Sequence, residues 1–288
     1  MTSQRRMTNL VLSTKSLSHN IVSYTMMMEE KEQKNRISSL LFNNENEGRG
    51  WPFVTVPDFE ARHVGLLKLT KAVECMLVPL VRHEDRDAWE QYAVSNQGWV
   101  QDGLNFQSNM ANRGNGHDEA TPHAPDVPVY IHSGSRIQES EGTGVGEYDN
   151  GKLVRSDEGK SLHAPVWQIS PAPDNPKDVN FDILSIDEIR WGFDWLNQSR
   201  QPVMTRVISF FDEPRSYFLQ PIFNTLDIMG EGAPLVDSNP PKQLVGLLSA
   251  TVFWSSIFRG VLPEGTNGVL VVLSNSCGQA YMQKGRES

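Results

Sequence analysis

The 288-residue sequence predicts an α+β fold in which helices pack on one side of an antiparallel sheet. In the second half of the chain, short apolar stretches of strand length are separated by turn residues and by one short helix. Amphipathic stretches with the 3.6-residue period of a helix precede them. Strands connected in this way favour antiparallel pairing, and the amphipathic helices need an apolar surface to cover.

The predicted helices and strands follow one another along the chain from a poorly patterned N-terminal segment. Residues 1–50 are polar and poorly patterned, although residues 24–42 are rich in helix formers and could form one helix. Residues 51–288 are predicted to form one domain. Its first helix begins around Pro57 and Asp58, residue types that suit a first helical turn. The buried stripe of that helix would be Phe59, His63, Leu66, Leu67 and Thr70, with His63 as a core histidine.

A compact apolar stretch at 75–81 predicts a buried strand, and a second helix is expected to start at Asp85. The stripe of this second helix would be Trp89, Tyr92, Ala93 and Val100. The charged residues at its start are predicted to form a solvated face, and they are Arg82, Asp85, Arg86 and Asp87. Residues 108–163 are long, rich in Gly and Pro, and predicted to be a loop with one strand at 127–132.

The remaining elements are the best patterned. A short strand is expected at 166–169, followed by a helix that starts with a capping box of Ser185 and Glu188 and carries Ile189, Phe193 and Leu196. Strands are predicted at 203–210, 217–223, 244–254 and 268–273. A short helix opens at Ser255, between the last two of them.

Composition limits the functional classes. A hydrophobic content of 38% with seven tryptophans indicates a globular body. The net charge of −9 argues against a nucleic-acid-binding face, because phosphate backbones need basic patches. Cys75 and Cys277 could pair in an oxidising compartment, but two small apolar thiols within strands is the favoured interpretation.

No membrane insertion by this chain is predicted. The longest apolar run, 244–258, is about fifteen residues and contains three serines, whereas a spanning helix needs about twenty. The N-terminal residues lack the apolar region of a signal peptide, since residues 10–12 are the only apolar run there.

Catalytic templates are not found. The sequence has no G-x-S-x-G, no H-E-x-x-H and no Walker motif. The glycine run at 142–146 lacks the strand and helix that would form a phosphate site, so a flexible loop is the better interpretation. Loop residues His117, Asp118, His123 and His132 leave one enzymatic alternative open, a metal-dependent hydrolase. The favoured prediction contains no catalytic residue, metal or cofactor.

Aromatic residues in or beside the predicted strands could line a ligand pocket, together with a few polar groups on the same face of the sheet. For each aromatic residue, core packing is the alternative role. The predicted ligand-binding residues are Tyr130, Trp167, Arg206, Ser209, Phe211, Tyr217 and Trp254.

Two blocks carry a family resemblance. The first, 51–107, contains WPFVTVPDFEAR, CMLVPLV and DRDAWEQYAVSNQGWVQDGL. The second, 166–277, contains VWQISPAP, VNFDILS, FDEPRSYFLQPIFNTL and LVGLLSATVFWSSIFRGVLPEGTNGVLVVLSNSC. Together they cover more than half of the chain. They resemble the extracytoplasmic sensor region of the receptor-type adenylate or guanylate cyclases of diatoms and related algae, which is similar to CHASE sensors.

The resemblance implies a PAS-like sheet with a long N-terminal helix, through which the module would form a homodimer. In that family the sensor lies between two transmembrane helices and is followed by a cyclase domain. The chain shows neither part, so the sequence predicts a non-catalytic sensor of an unknown small molecule, apparently truncated after Cys277, on the extracytoplasmic face of a membrane. A freestanding or truncated soluble binding protein without signalling output is the alternative.

Overall fold

The computed structural model describes residues 50–115, 123–124, 127–133, 159–173, 176–208, 213–224, 243–258, 270–274 and 280–284. The helices in these ranges are α1 (Phe59–Thr70), α2 (Arg86–Ser95), α3 (Gly98–Asn115), α4 (Asp187–Ser199) and α5 (Trp254–Phe258). The strands are β1 (Glu74–Pro79), β2 (Val81–Arg82), β3 (Leu162–His163), β4 (Gln168–Ser170), β5 (Val203–Met204), β6 (Arg215–Phe223), β7 (Leu244–Phe253), β8 (Leu270–Ser274) and β9 (Ala280–Lys284).

The predicted α+β class is confirmed. Five strands form an antiparallel sheet in the order β4-β1-β7-β6-β5. The long strands β6 and β7 are buried along nearly their whole length rather than at alternate residues. Near-continuous apolar sequence of this kind belongs to a sheet that is covered on both faces.

The cover on the two faces differs, and the prediction that helices pack on one side is wrong in this respect. Gly192 of α4 lies against Val203 and Leu219, which pair across β5 and β6. On the opposite face, the side chain of Gln168 accepts a hydrogen bond from the amide of Val56 at 2.7 Å and donates one to its carbonyl at 2.9 Å. The segment before α1 therefore covers one face and α4 covers the other.

Helix α1 forms where it was predicted. Four of the five predicted stripe residues are buried and Leu67 is half-buried, because this helix packs on β4 and β1. The helix begins one residue after Asp58, which has a left-handed φ of 54° and makes no side-chain cap. Glu60 is also buried, and its carboxylate accepts a hydrogen bond from the amide of Ala172 at 2.8 Å. Burial raises the pKa of Glu60, while that hydrogen bond opposes the shift.

The second predicted helix is two helices, α2 and α3. They pack an aromatic cluster beside β4, in which the ring of Trp167 lies 5.3 Å from that of Trp89 and 6.0 Å from that of Trp99. Arg86 corrects the prediction of a solvated helix start. It is 4% exposed, and it donates hydrogen bonds to the carboxylate of Glu90 and to the carbonyl of Ile131, both at 3.0 Å.

Other boundaries also differ from the prediction. Residues 108–115 belong to α3 rather than to the loop, and residues 127–132 form no strand but one bridge between His132 and Phe181. Strand β5 stops at Met204, because the amide of Tyr217 donates to the hydroxyl of Thr205 at 3.0 Å rather than to a backbone carbonyl, and pairing resumes as an isolated bridge between Ile208 and Arg215. Strand β8 is not part of the main sheet, since it pairs with β9, which the sequence did not reveal.

The predicted capping box does not form. Ser185 ends a short 3₁₀ turn, and its hydroxyl donates to the carbonyl of Asp182 at 2.7 Å. Helix α4 then begins after Ile186 without a side-chain cap, although Ile189, Phe193 and Leu196 are buried as predicted. The hydroxyl that the sequence offers as a helix cap is used instead by a hydrogen bond within the preceding 3₁₀ turn.

Several predictions lie outside the described residues. These are the N-terminal helix at 24–42, the glycine run at 142–146 and Cys277. Cys75 is a buried free thiol in β1. None of the helices in the described ranges has both the length and the apolar composition needed to cross a bilayer.

Candidate functional site at the end of the sheet

The structure scatters the predicted ligand-binding residues. Trp167 is fully buried in the aromatic cluster, and its indole nitrogen donates to the hydroxyl of Thr55 at 2.9 Å. Tyr130 is half-buried with its ring 6.3 Å from that of His132. Arg206 is exposed, and its guanidinium lies 4.7 Å from the ring centre of Trp191. Ser209 and Phe211 lie outside the described residues.

Tyr217 and Trp254 are both buried, but they serve opposite faces of the sheet. The indole nitrogen of Trp254 donates to the hydroxyl of Ser216 at 2.9 Å. Ser216 and Tyr217 are successive residues of β6, so their side chains point to opposite faces. The predicted residues therefore do not line one common pocket in the described part of the structure.

Tyr217 instead belongs to a group of polar residues at one end of the sheet, here called the sheet-end cluster. Its members are Glu74, Asp178, Arg215, Tyr217 and Thr251. The antiparallel register places the start of β1, the start of β6 and the end of β7 together, since Glu74 pairs with Thr251 and Thr251 pairs with Tyr217. The hydroxyl of Thr251 donates to the carboxylate of Glu74 at 2.6 Å.

The environment of this cluster disfavours the ionised form of Asp178. The pKa of Asp178 is raised to about 6, mainly because packed neighbouring atoms desolvate the carboxylate. The Glu74 carboxylate acts in the same direction and Arg215 opposes the rise. Part of the Asp178 side chain still contacts solvent. Burial also raises the pKa of the Tyr217 hydroxyl, and the negative charge of Glu74 acts in the same direction. Tyr217 therefore stays protonated at neutral pH, next to carboxylates that repel each other.

Arg215 balances only part of this negative charge. Its guanidinium lies 4.9 Å from the ring centre of Phe253, and its Nε donates to the carbonyl of Glu213 at 3.5 Å. A group with raised pKa beside specific charged partners is typical of functional sites. Chemically, the cluster offers the carboxylate oxygens of Glu74 and Asp178 as acceptors, which suit a small positively charged ligand.

A second polar centre surrounds Asp182, and here the carboxylate is fully satisfied. The fully buried side chain accepts hydrogen bonds from the amides of Ala164 and Leu184 at 3.1 and 3.2 Å. Lys160 lies 3.1 Å away, and Nδ1 of His163 lies 3.4 Å away. Burial alone would raise the pKa of Asp182, but His163, Lys160 and the Ala164 amide together hold it well below its ordinary value.

The polar chain continues from Asp182 to the surface. Nε2 of buried His163 lies 3.3 Å from Nδ1 of His83, and the His83 side chain is exposed. Strand pairing positions the two rings, because Val81 pairs with His163 and the amide of His83 donates to the carbonyl of Ser161 at 3.0 Å. No local sequence motif marks this centre, because its members come from separate segments.

The remaining histidines have structural contacts where they are described. His132, one of the loop residues of the hydrolase alternative, is buried with Nε2 3.1 Å from the carbonyl of Val179, and burial lowers its pKa although that hydrogen bond opposes the shift. His123 is exposed, while His117 and Asp118 lie outside the described residues. No group of three or more metal-ligating side chains occurs among the residues that the structure describes.

Sequence reasoning identified one member of the sheet-end cluster, Tyr217, and missed the others. Glu74 precedes a buried strand and Asp178 lies in a short 3₁₀ turn, so neither has a local motif. Strand register brings Glu74 to Tyr217, whereas Asp178 is linked to Glu74 and Arg215 through electrostatic interactions. Comparison of the chain with protein-family models and with curated proteins finds no match, so function has to be argued from the site.

Proposed function

We propose that this chain is a non-catalytic sensory module that binds a small, positively charged molecule at the sheet-end cluster. The observation that carries the proposal is the raised pKa of Asp178, to about 6, beside a second carboxylate. A bound cation would relieve the repulsion between Glu74 and Asp178. It would therefore bind preferentially to the arrangement in which these two groups are close together.

The sheet topology supports the resemblance on which the sensory role depends. Strand β1 comes from the first of the two resembling blocks, and it pairs on both sides with strands of the second block, β4 and β7. The two blocks are therefore halves of one folded unit rather than two separate similarities. A single sheet built from both blocks is what a CHASE-like, PAS-like sensor requires.

The ligand class follows from the groups in the cluster. Glu74 and Asp178 can accept hydrogen bonds from an ammonium group, and the face of an aromatic ring attracts a cation. Arg215 excludes a ligand with several positive charges from its own side of the cluster, because like charges repel at short range. A primary or quaternary amine with a single charge fits these conditions.

In the sensory role, binding would shift the population of two arrangements of the sheet end and its connected segments. The parent receptor would be an adenylate or guanylate cyclase, with this module outside the membrane and dimerised through an N-terminal helix. A freestanding binding protein with the same ligand is the second candidate. If the adjacent coding sequence contains a membrane-spanning segment and cyclase motifs, the receptor proposal is favoured over the freestanding binding protein.

The binding proposal can be tested by a thermal-shift screen with monoamines and their uncharged alcohol analogues. A ligand that binds the folded state raises the midpoint temperature, and the rise increases with ligand concentration. We expect amines to raise it and alcohols to leave it unchanged. The substitution Asp178→Asn should abolish the rise, whereas Asp194→Asn on the exposed face of α4 should preserve it.

Arg206→Ala provides a second comparison, because Arg206 was predicted as a ligand-binding residue but lies over Trp191. We expect this variant to respond to amines like the unsubstituted protein. A screen in which no amine raises the midpoint, or in which Asp178→Asn responds fully, would contradict the proposed site.

A further inference from the structure

The two imidazole rings of His83 and His163 have a geometry that suits more than a hydrogen bond. Their facing nitrogens, Nδ1 of His83 and Nε2 of His163, are 3.3 Å apart. Two imidazole nitrogens that each lie about 2.0–2.1 Å from a tetrahedral zinc ion are separated by about 3.3–3.4 Å. The separation in this protein is thus that of two ligands of one metal ion.

The surroundings of His163 strengthen this interpretation. Histidines that bind a metal through one nitrogen usually donate a hydrogen bond to a carboxylate or carbonyl through the other, which sets the tautomer and orients the ring. His163 does so here, because its Nδ1 faces the carboxylate of Asp182 at 3.4 Å. The same Asp182 oxygen accepts from Lys160 at 3.1 Å, so Nδ1 of His163 is oriented toward an acceptor and Nε2 is oriented toward His83.

We propose that His83 Nδ1 and His163 Nε2 bind one divalent transition-metal ion of the Zn²⁺ or Ni²⁺ type, with Asp182 as the group that orients His163. The metal would replace the proton that the two rings share. His83 is exposed, so water completes the coordination on the solvent side. With only two protein ligands among the described residues, the site binds metal more weakly than a closed structural site.

The site is preorganised by the backbone. His163 lies in β3, and His83 follows β2 directly, with the two strands paired in antiparallel register. The amide of His83 and the carbonyl of Ser161 add a further hydrogen bond at 3.0 Å. Strand pairing and this hydrogen bond fix the backbone of both histidines, so little backbone entropy is lost on binding.

Lys160 opposes the bound metal. Its ammonium group lies 3.1 Å from the same Asp182 oxygen that faces His163, which places a positive charge near the site. Neutralising that charge with Lys160→Met should therefore tighten metal binding. Lys160→Met also removes one partner of the ion pair with buried Asp182, so a denaturation curve must first show that this variant is folded under the conditions of the titration.

The test is calorimetric titration of the protein with Zn²⁺ and with Ni²⁺ alone, at pH 7.5. We expect one saturable site, a loss of at least tenfold in affinity for His83→Ala, and a gain for Lys160→Met. His123→Ala removes another exposed histidine and should bind like the unsubstituted protein.

Absence of a saturable site, or equal affinity in His83→Ala and the unsubstituted protein, would overturn the proposal and leave the two rings as a proton-sharing pair. Because His83 is exposed, its removal does not threaten folding, and circular dichroism of each variant verifies this. The test does not depend on amine binding, which uses Asp178 and Glu74. Either proposal can therefore fail while the other stands.

Discussion

The sheet-end cluster and the Asp182 centre both place a carboxylate among charged neighbours, but they neutralise it differently. Asp182 accepts two amide hydrogen bonds and faces Lys160 and His163, so its charge is satisfied within the fold. For Asp178, packed neighbouring atoms raise the pKa, and Glu74 raises it further while Arg215 partly opposes the rise. A satisfied carboxylate stabilises the structure, whereas a repelled one is available to a ligand.

The largest expected effect tests the structural half of this comparison. Asp182→Asn leaves Lys160 and His163 without the carboxylate that they face, in a buried position. Breaking one partner of a buried ion pair typically costs about 3–5 kcal/mol of stability. Urea denaturation at pH 7.5 should show a loss of that size. Asp194→Asn at an exposed site should change stability by less than about 0.5 kcal/mol.

A loss below about 1 kcal/mol for Asp182→Asn would mean that solvent reaches the carboxylate and that the two clusters do not differ in kind. Replacing Lys160 as well tests whether its unpaired ammonium group causes the loss of stability. The double variant Asp182→Asn with Lys160→Met should recover part of the lost stability, because the uncompensated ammonium is then gone.

The second prediction concerns the loss of stability at acidic pH. A buried histidine contributes to this loss, and its contribution must be known before the pH dependence of the two carboxylates can be compared. His63 in α1 is fully buried, with Nδ1 donating to the carbonyl of Phe59 at 2.6 Å. Burial lowers the pKa of His63 to about 4 against the opposing Phe59 hydrogen bond, and Arg62 lowers it further. The unfolded chain titrates near pH 6.5, so between about pH 6.5 and pH 4 it binds a proton that the folded protein does not.

Stability from the neutral His63 is thus fully present above about pH 6.5 and is lost as the pH falls toward 4. The shift corresponds to about 3 kcal/mol, since one pKa unit is about 1.4 kcal/mol. Denaturation curves at pH 7.5, 5.5 and 4.5 should show His63→Phe losing much less stability with acid than the unsubstituted protein. His123→Ala, an exposed control, should lose as much as the unsubstituted protein. Parallel curves for all three proteins would contradict the assignment.

Much of the fold could be predicted because it depends on local periodicity. The stripe of α1 and the long strands β6 and β7 have patterns that no tertiary contact reverses. Predictions failed where a specific hydrogen-bond partner, which periodicity does not reveal, decides the outcome. Arg86 reads as a solvated residue until Glu90 and Ile131 enclose it, and Ser185 reads as a helix cap until it bonds to Asp182.

The candidate site was harder to predict for the same reason. Tyr217 was identified because aromatic residues in strands are conspicuous. Glu74 and Asp178 are ordinary surface residue types far apart in sequence, and only the pairing of β1, β7 and β6 brings the first of them to Tyr217. The prediction from aromatic residues therefore identified a residue of the cluster on β6, but it did not identify the carboxylates that lie near it.

The smallest expected effect tests the repelled carboxylate itself. Asp178→Asn removes a charge that the fold disfavours, so at pH 7.5 it should stabilise the protein. The gain should stay below about 1 kcal/mol, because the side chain is exposed and solvent screens the Glu74 charge. Since the pKa of Asp178 is raised to about 6, the carboxyl becomes neutral as the pH falls, and the advantage of Asn should disappear by about pH 4.

This difference between two proteins is best measured by paired urea denaturation at pH 7.5 and pH 4, where the His63 contribution is common to both and cancels. If Asp178→Asn instead destabilises the protein at pH 7.5, Asp178 has a structural role like that of Asp182, and the basis for a cation site is removed. The predicted gain, together with loss of the amine response in the same variant, would show that stability is given up at this position in exchange for binding.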